Sequence, residues 1–353
     1  MKIYAKHIAY VYFKYFLIIF IALELFYAGI DILTNLKRFP ESANLQLIYF
    51  FLTTLIALNY ILPLSLVFAF IATYFNMIRN NELVSFYALG IDKNRVIMPT
   101  FLVALIVTCS YIALNFTNFT YIKEYRKNIA SSSFMPQNLD EKFVKYDGKY
   151  IYISRLNPIT NDAKIINIFD VNDTKLLSIV SASSGKFDGK IWNLEDVNIT
   201  NLPSNLEFMA KGFEVQHLEN LETLKKFRPK TIENIYESDT PYSINDALDA
   251  IKTFKNEGIN INSLKVSLYN SIFFPLFAPI MVLIFYYFLP STYRFFNLAL
   301  LGFIFVVATL CCWGVLYVLI RFSQNGVILA ELGVVLPIFL LFLFAIKLYF
   351  SNR

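Results

Sequence analysis

Six hydrophobic segments, each long enough to cross a lipid bilayer, constrain the fold of this chain more than any other feature. A membrane-spanning helix needs about 20 predominantly apolar residues. Six windows meet this requirement, at about 12–32, 48–72, 96–118, 266–289, 296–319 and 327–349. Backbone polar groups inside a bilayer must find partners within the protein, so each window is expected to be an α-helix. The sequence therefore predicts an α-helical polytopic membrane protein with six transmembrane helices.

Composition supports this class and argues against others. Hydrophobic residues make up 57% of the 353 residues and charged residues 16%, whereas soluble domains have about 45–50% and about 25%. The net charge is only +5 and the basic residues are scattered, so no nucleic-acid partner is expected. The three cysteines lie in apolar segments and the two histidines are isolated, so no metal site is predicted.

Lysine and arginine in the short loops predict the orientation, because cytoplasmic loops carry an excess of these residues. One side has Lys2, Lys6, Lys14, Arg79, Lys93, Arg95, Arg294, Lys347 and Arg353. The opposite side has only Lys37, Arg38 and Arg321 in its short loops. Both termini are therefore expected in the cytoplasm, and the long insertion outside it. The predicted domains are 1–118 with three helices, the insertion 119–264, and 265–353 with three helices.

The insertion is predicted to be an all-β domain. Two runs of alternating apolar and polar residues over Phe143–Ile153 meet at Asp147-Gly148. The same Asp-Gly pattern recurs at Asp188-Gly189. Asp-Gly between alternating runs favours a hairpin with a two-residue type I′ turn. Short strands with frequent turns indicate a sandwich or a jelly roll. Further candidate strands are Lys164–Asp170, Lys175–Ser183, Val197–Asn201 and Glu207–Val215.

A connector helix is expected at about 243–257, where the apolar spacing changes to a helical period. Ser243 is its predicted N-cap, with Asp246 three residues later in the position of a capping box. Gly258 is expected to end this helix, since glycine is favoured just beyond a helix C-terminus. The connector then leads to the fourth hydrophobic segment.

No catalytic motif is found in the sequence. It contains no G-x-x-x-x-G-K-[S/T] phosphate-binding loop, no G-x-S-x-G and no H-E-x-x-H. The chain is therefore expected not to be an enzyme and to hold no cofactor of its own. Any energy for chemical work would have to come from a partner.

The loop between the second and third segments is the most informative part of the sequence. It predicts a short helix at about 80–90, called the loop helix below, with Asn80 or Asn81 as its cap and Gly90 at its end. Its apolar stripe consists of Leu83, Phe86, Tyr87 and Leu89. Such a helix either rests on lipid headgroups or docks into a protein groove. Glu82 beside the stripe favours the groove, because cytoplasmic headgroups are anionic.

These residues carry a family resemblance. Arg79, Glu82-Leu83 and Ala88-Leu89-Gly90 resemble the coupling-helix pattern of the LptF/LptG permeases, the membrane subunits of the lipopolysaccharide-extracting ABC transporter of Gram-negative bacteria. The resemblance covers nearly the whole chain, as three spans, a periplasmic β-jelly roll and three spans. Phe143–Arg155 resembles the entry strands of that jelly roll, and Phe273–Leu276 resembles the start of the fourth span.

Of the two paralogues, the chain resembles the LptG-like one more closely. Ala28–Ile30, followed by Asn35–Arg38, is similar to its first-span exit. The resemblance implies that Lys37 and Arg38 meet the phosphorylated headgroup of the lipid, although such a pair also fits ordinary interfacial anchoring. Asp31 departs from the pattern, because LptG-like sequences can carry a lysine there.

The resemblance also implies a function. The chain would be a permease subunit that extracts lipopolysaccharide from the outer leaflet of the inner membrane and passes it to a periplasmic bridge. The implied partners are an LptF-like six-span permease, an LptB-like cytoplasmic ATPase dimer, a single-span LptC-like protein, an LptA-like bridge protein and lipopolysaccharide. ATP and Mg²⁺ would be bound by the ATPase and not by this chain. The residues implied to couple to that ATPase are Arg79, Glu82, Leu83, Phe86, Leu89 and Gly90.

Two other functions stay open from the sequence. A permease of a lipoprotein-release or MacB-like transporter also has an outside domain, but it typically has four spans with that domain after the first. A non-transporting membrane scaffold would use its β domain to bind a periplasmic protein and would need no ATPase.

One further residue, Glu24, lies near the middle of the first span. It is expected to hydrogen-bond inside the helix bundle, because an intramembrane carboxylate is costly.

Overall fold

A computed structural model of the protein describes most of the chain. The described residues are 3–36, 40, 42–130, 141–157, 160–172, 175–203, 212–225, 227, 229, 243–254, 261–292 and 297–351. The chain divides into two compact units. One unit consists of Met1–Ser132 with Lys265–Arg353, and the other of Ser133–Leu264.

The first unit is helical and confirms the predicted spans. Among the described residues, six helices are long and apolar enough to cross a membrane. Spans 1 to 6 are Ile3–Thr34, Ala43–Arg79, Lys93–Leu114, Asn262–Tyr287, Leu298–Gln324 and Glu331–Ser351. Two shorter helices belong to the same unit, the loop helix at Glu82–Ala88 and a helix at Ile122–Ala130 that follows span 3.

Two of the spans change their helical geometry close to a proline. Span 4 tightens into a 3-10 turn over Phe274–Leu276, where Pro275 has no backbone N–H to donate. Span 6 begins with a π-helical segment over Glu331–Val335, two residues before Pro337. Both irregular segments contain buried residues, Phe274 and Pro275 in the first and Gly333 and Val334 in the second.

Spans 2 and 4 form the centre of the helical unit. In each of them 61% of the most apolar window is buried within the protein, against 17% in span 1 and 22% in spans 5 and 6. Span 1 is joined to span 2 where the Tyr12 hydroxyl donates to the Leu66 carbonyl at 3.0 Å. Span 5 packs on span 4 through stacked rings of Phe285 and Phe305, whose centroids are 4.4 Å apart. The outer faces of spans 1, 5 and 6 are left for lipid or for other helices.

The second unit contains a six-stranded antiparallel sheet. Its strands are β1 (Lys142–Tyr146), β2 (Lys149–Asn157), β3 (Asp162–Asn172), β4 (Lys175–Phe187), β5 (Trp192–Asn201) and β6 (Glu214–Thr223). Each described strand pairs with the next one in the chain, which is the order of a meander. The inserted β domain is thereby confirmed, whereas a jelly roll is built from two Greek keys. The jelly-roll assignment stays a prediction.

The first Asp-Gly hairpin has the predicted turn. Tyr146 pairs with Lys149, which leaves two residues between the strands. Asp147 has a φ of 52° and Gly148 a φ of 73°, and a type I′ turn requires positive φ at both positions. Two residues were therefore sufficient to locate this hairpin from the sequence.

The second Asp-Gly hairpin differs from the prediction. β4 and β5 do pair, but the last pair is Phe187 with Trp192, so four residues lie in the loop. Gly189 has a φ of 83°, and Asp188 is not among the residues with positive φ. The predicted turn centred on Asp188-Gly189 was wrong here, because the Asp188 N–H donates to the Ile191 carbonyl at 3.0 Å, which leaves Gly189 and Lys190 between these two residues.

One face of the sheet is apolar and buried. Its side chains alternate along the strands and include Val144, Ile151, Ile153, Ile166, Ile168, Leu194 and Val197. The indole of Trp192 is fully buried, and its N–H donates to the Phe227 carbonyl at 2.6 Å. The predicted strand Glu207–Val215 lies largely outside the described residues, and β6 begins at Glu214.

The connector helix is present at Ile244–Phe254. The Asp246 backbone N–H donates to the Ser243 hydroxyl oxygen at 3.1 Å, and the Ser243 hydroxyl donates to the Asp246 carboxylate at 2.7 Å. The predicted N-cap is thereby confirmed. Residues 255–258, including the predicted terminator Gly258, lie outside the described residues.

We expect Gly333→Ala to destabilise the helical unit. A Cβ atom at Gly333 would collide with the Ser323 hydroxyl and would lie 3.0 Å from the Leu319 carbonyl, both in span 5. Overpacking of this kind costs about 1–3 kcal/mol. Gly314→Ala is the matched control, because nothing lies within 4 Å of its added Cβ. Thermal unfolding in detergent should show a lower midpoint for Gly333→Ala only, and equal midpoints would contradict the close approach of spans 5 and 6.

Candidate functional site

The loop helix has about two turns and is held by backbone conformation at both ends. It runs from Glu82 to Ala88. Asn81 precedes it with a φ of 57°, and its side chain makes no capping bond, so the predicted side-chain cap was wrong. Gly90 ends it as predicted, with a φ of 75°. The Gly90 N–H donates to the Tyr87 carbonyl at 3.0 Å and the Ile91 N–H to the Phe86 carbonyl at 3.1 Å, which is the Schellman pattern.

The apolar stripe of the loop helix packs mainly against the chain itself. Leu83 is buried, and Phe86 meets the ring of Tyr4 in span 1 at a centroid distance of 6.2 Å. Tyr87 contacts span 4, where its hydroxyl oxygen lies 2.9 Å from that of Tyr286. The sequence analysis considered only lipid or a groove of a partner protein as the surface that covers this stripe. It did not predict packing against the chain's own spans, because these are close in space but distant along the sequence.

The opposite face of the loop helix stays open. Leu89 is 77% exposed, and the neighbouring Arg79, Ser85 and Gly90 are exposed as well. Glu82 lies between the two faces, with a carboxylate oxygen 3.2 Å from Nε2 of His7 in span 1. The predicted site residues are thus brought together in one short segment. Leu83 and Phe86 anchor it, while Arg79, Leu89 and Gly90 remain accessible.

Lys37 and Arg38, the predicted headgroup contacts, lie outside the described residues. The described end of span 1 instead carries Asp31, in an ion pair that the sequence analysis did not predict. Asp31 forms an ion pair with Arg126, with 2.9 Å between the carboxylate oxygen and Nη1. Their side chains are 13% and 20% exposed. The pair is therefore shielded from most solvent, and its attraction is stronger than that of an exposed pair.

The surroundings of the Asp31–Arg126 pair tie three helices together. The Tyr49 hydroxyl donates to the Asp31 carboxylate at 3.4 Å, and the Arg126 guanidinium lies 5.6 Å from the centroid of the Tyr49 ring. Arg126 belongs to the helix after span 3, Asp31 to span 1 and Tyr49 to span 2. A carboxylate at a span end signals that a cation is needed nearby, but the sequence gives no indication that Arg126 provides it.

Glu24 departs from the expectation that it would hydrogen-bond inside the bundle. The residue is 7% exposed, and neither carboxylate oxygen has a hydrogen-bond partner among the described residues. It shares a face of span 1 with Ala28, on the side that packs against the bundle.

In the described part of the chain, no group of three or more His, Cys, Asp or Glu side chains has the arrangement of a metal site.

We expect Asp31→Asn to destabilise the protein, because it leaves the shielded guanidinium of Arg126 without its counter-charge. Hydrogen bonds to charged groups contribute about 1.5–3 kcal/mol. Asp170→Asn is the control, since its pair with Lys149 is more exposed and such pairs contribute about 0–1 kcal/mol. Thermal unfolding in detergent measures both, and a loss for Asp170→Asn as large as that for Asp31→Asn would contradict this ranking.

Comparison with known proteins identifies the family of this chain. A search of curated proteins returned no match. The family model described as lipopolysaccharide export system permease LptF/LptG matches residues 6–351. This match extends over all six spans, the loop helix and the β sheet. The chain therefore belongs to the LptF/LptG family of lipopolysaccharide export system permeases.

Proposed function

We propose that the chain is the LptG-like permease subunit of an ABC transporter that extracts lipopolysaccharide from the outer leaflet of the inner membrane. The family match supports lipopolysaccharide export. The observation that carries the mechanism is the loop helix, which is anchored in the bundle by Leu83 and exposed at Leu89. A helix bound to several spans on one face and open on the other is suited to pass a partner's motion into the membrane.

The start of span 1, the end of span 6 and the loop helix lie at one end of the helical unit. His7, near the start of span 1, contacts Glu82, and the Asn94 amide donates to the Tyr349 carbonyl near the end of span 6 at 3.2 Å. The excess of Lys and Arg in the segments at this end supports a cytoplasmic location for it. The β sheet lies in the insertion between spans 3 and 4 and is then periplasmic.

ATP hydrolysis is assigned to a separate partner, because the sequence has no phosphate-binding loop. We propose an LptB-like ATPase dimer that binds ATP and Mg²⁺ and docks on Arg79, Glu82 and Leu89. The other partners are an LptF-like second permease, a single-span LptC-like protein and an LptA-like bridge. A MacB-like permease fits less well, because six spans surround an insertion after the third one.

The mechanism has three steps. Lipopolysaccharide enters sideways into a cavity between the two permeases, with its phosphorylated headgroup near Lys37 and Arg38 at the end of span 1. Closure of the ATPase dimer moves the loop helix, and the cavity between the permeases collapses. The acyl chains then pass to the periplasmic β domains, which can pair edge to edge with the bridge by β-augmentation. The permease itself makes and breaks no covalent bond.

We expect Glu82→Lys and Leu89→Glu to uncouple the ATPase from the permease. Each puts an unfavourable charge among the proposed docking residues, and the loss of a hot-spot contact costs about 2 kcal/mol or more, so binding should fall about 30-fold or more. Co-purification of the ATPase from native membranes and lipopolysaccharide release in proteoliposomes measure the effect.

His7→Ala is the control for the intrachain contact. It removes the exposed partner of Glu82 and leaves the carboxylate in place, so its effect should be below about 1 kcal/mol. If Glu82→Lys and Leu89→Glu retain the ATPase and release lipid normally, the loop helix is not the docking element. Purification of the unmodified chain alone, with ordinary phospholipid, would favour a membrane scaffold over a transporter.

A further inference from the structure

Two tyrosine hydroxyls connect the loop helix to span 4. The hydroxyl oxygens of Tyr87 and Tyr286 are 2.9 Å apart, and the Tyr286 hydroxyl donates to the Lys93 carbonyl at 2.9 Å. A phenol has a single proton to donate. Since Tyr286 gives its proton to Lys93, Tyr87 must be the donor to Tyr286. The two bonds run in one direction, from the loop helix through span 4 to the first residue of span 3.

Tyr286 cannot easily turn away from this position. Its side chain is buried, and its ring meets the ring of Tyr74 edge to face at a centroid distance of 5.3 Å. Tyr74, in span 2, is in turn held by a 2.9 Å hydrogen bond to the Thr100 hydroxyl in span 3. Burial raises the pKa of Tyr87 above its ordinary value, so its hydroxyl keeps the proton that it donates.

A second set of bonds fixes the start of span 3 at the same end. The Tyr287 hydroxyl donates to the Asn94 side-chain oxygen at 2.8 Å. The Asn94 side-chain N–H donates to the Tyr349 carbonyl in span 6 at 3.2 Å. Span 3 therefore begins in a frame made by the ends of spans 4 and 6. A displacement of the Lys93 carbonyl relative to Tyr286 would have to break directional bonds and not only slide apolar surfaces.

The chain path makes such a link necessary. The loop helix is covalently continuous with spans 2 and 3, so its motion reaches those spans directly. Span 4 follows only after the inserted β domain, and the peptide chain between them is too long to transmit a displacement. Contacts in space must therefore connect the loop helix to spans 4 to 6. The hydrogen bond of Tyr87 with Tyr286 is directional and shielded, whereas that of Glu82 with His7 is largely exposed and links only to span 1.

We propose that Tyr286 is the positioning residue through which displacement of the loop helix reaches span 4. This inference rests on the proposed function, in which a partner ATPase moves the loop helix. Removing either hydroxyl should leave the docking face untouched, because Tyr87 and Tyr286 point into the bundle. The transporter would then still hydrolyse ATP but would convert less of that energy into lipid movement.

The test uses the full chain, reconstituted with its partner permease and ATPase in vesicles that contain lipopolysaccharide. Both ATP hydrolysis and lipopolysaccharide release are measured for Tyr286→Phe, Tyr87→Phe and the double variant. We expect ATP hydrolysis within about twofold of the unmodified protein. Lipid released per ATP should fall roughly two- to tenfold, the factor that corresponds to one net hydrogen bond. The double variant should fall no further than Tyr286→Phe, because Tyr286→Phe already removes the bond that Tyr87→Phe removes.

Tyr10→Phe is the matched control, since Tyr10 is exposed on the outer face of span 1 and loses the same atom. Unchanged release per ATP in Tyr87→Phe would overturn the inference, and this variant keeps the bond of Tyr286 to Lys93 in case Tyr286→Phe fails to fold. An equal fall in Tyr10→Phe, or additive losses in the double variant, would overturn it as well. If the unmodified chain assembles with no ATPase, the proposed function fails, and the inference fails with it.

Discussion

In a bilayer, a backbone group without a partner inside the protein has no water to bond, and the helical unit is organised around this constraint. Long uninterrupted helices meet it along most of each span. The two departures, the 3-10 turn at Pro275 and the π segment before Pro337, both include residues that the surrounding protein buries. Spans 2 and 4 can be central because their neighbours cover them, while spans 1, 5 and 6 present continuous apolar surface outward.

The same constraint decides which polar side chains lie within the bundle. Neutral hydroxyls join neighbouring spans, as with Tyr12 bonded to Leu66 and Tyr74 bonded to Thr100. Charged groups occur in pairs close to span ends, as with Asp31 and Arg126 or Lys265 and Glu331. Glu24 departs from this pattern with a buried carboxylate to which no described residue hydrogen-bonds. Neutral hydrogen bonds suit a bundle that moves, since breaking one is less costly than separating a shielded ion pair.

Features set by local sequence were predictable, and features set by distant contacts were not. The six spans follow from length and hydrophobicity alone, and the Asp147-Gly148 turn follows from the φ preference of two adjacent residues. The Asp188-Gly189 loop was mispredicted because Asp188 bonds to Ile191, which moves the turn on to Gly189 and Lys190. Arg126 lies 95 positions from Asp31, and Tyr286 lies 199 positions from Tyr87, so neither partner could be read from the sequence.

The placement of the β domain gives these distant contacts their importance. An insertion between spans 3 and 4 separates the helical unit into two blocks of three that share no short peptide connection. Through the peptide chain, a partner that acts on the loop helix pulls on spans 2 and 3 only. The second block follows to the extent that side chains hold it, and at the end that carries the loop helix these are tyrosine hydroxyls and one asparagine amide. The two halves are therefore joined by apolar packing between their spans and by a few directional bonds at this end, and these bonds can change without altering the spans themselves.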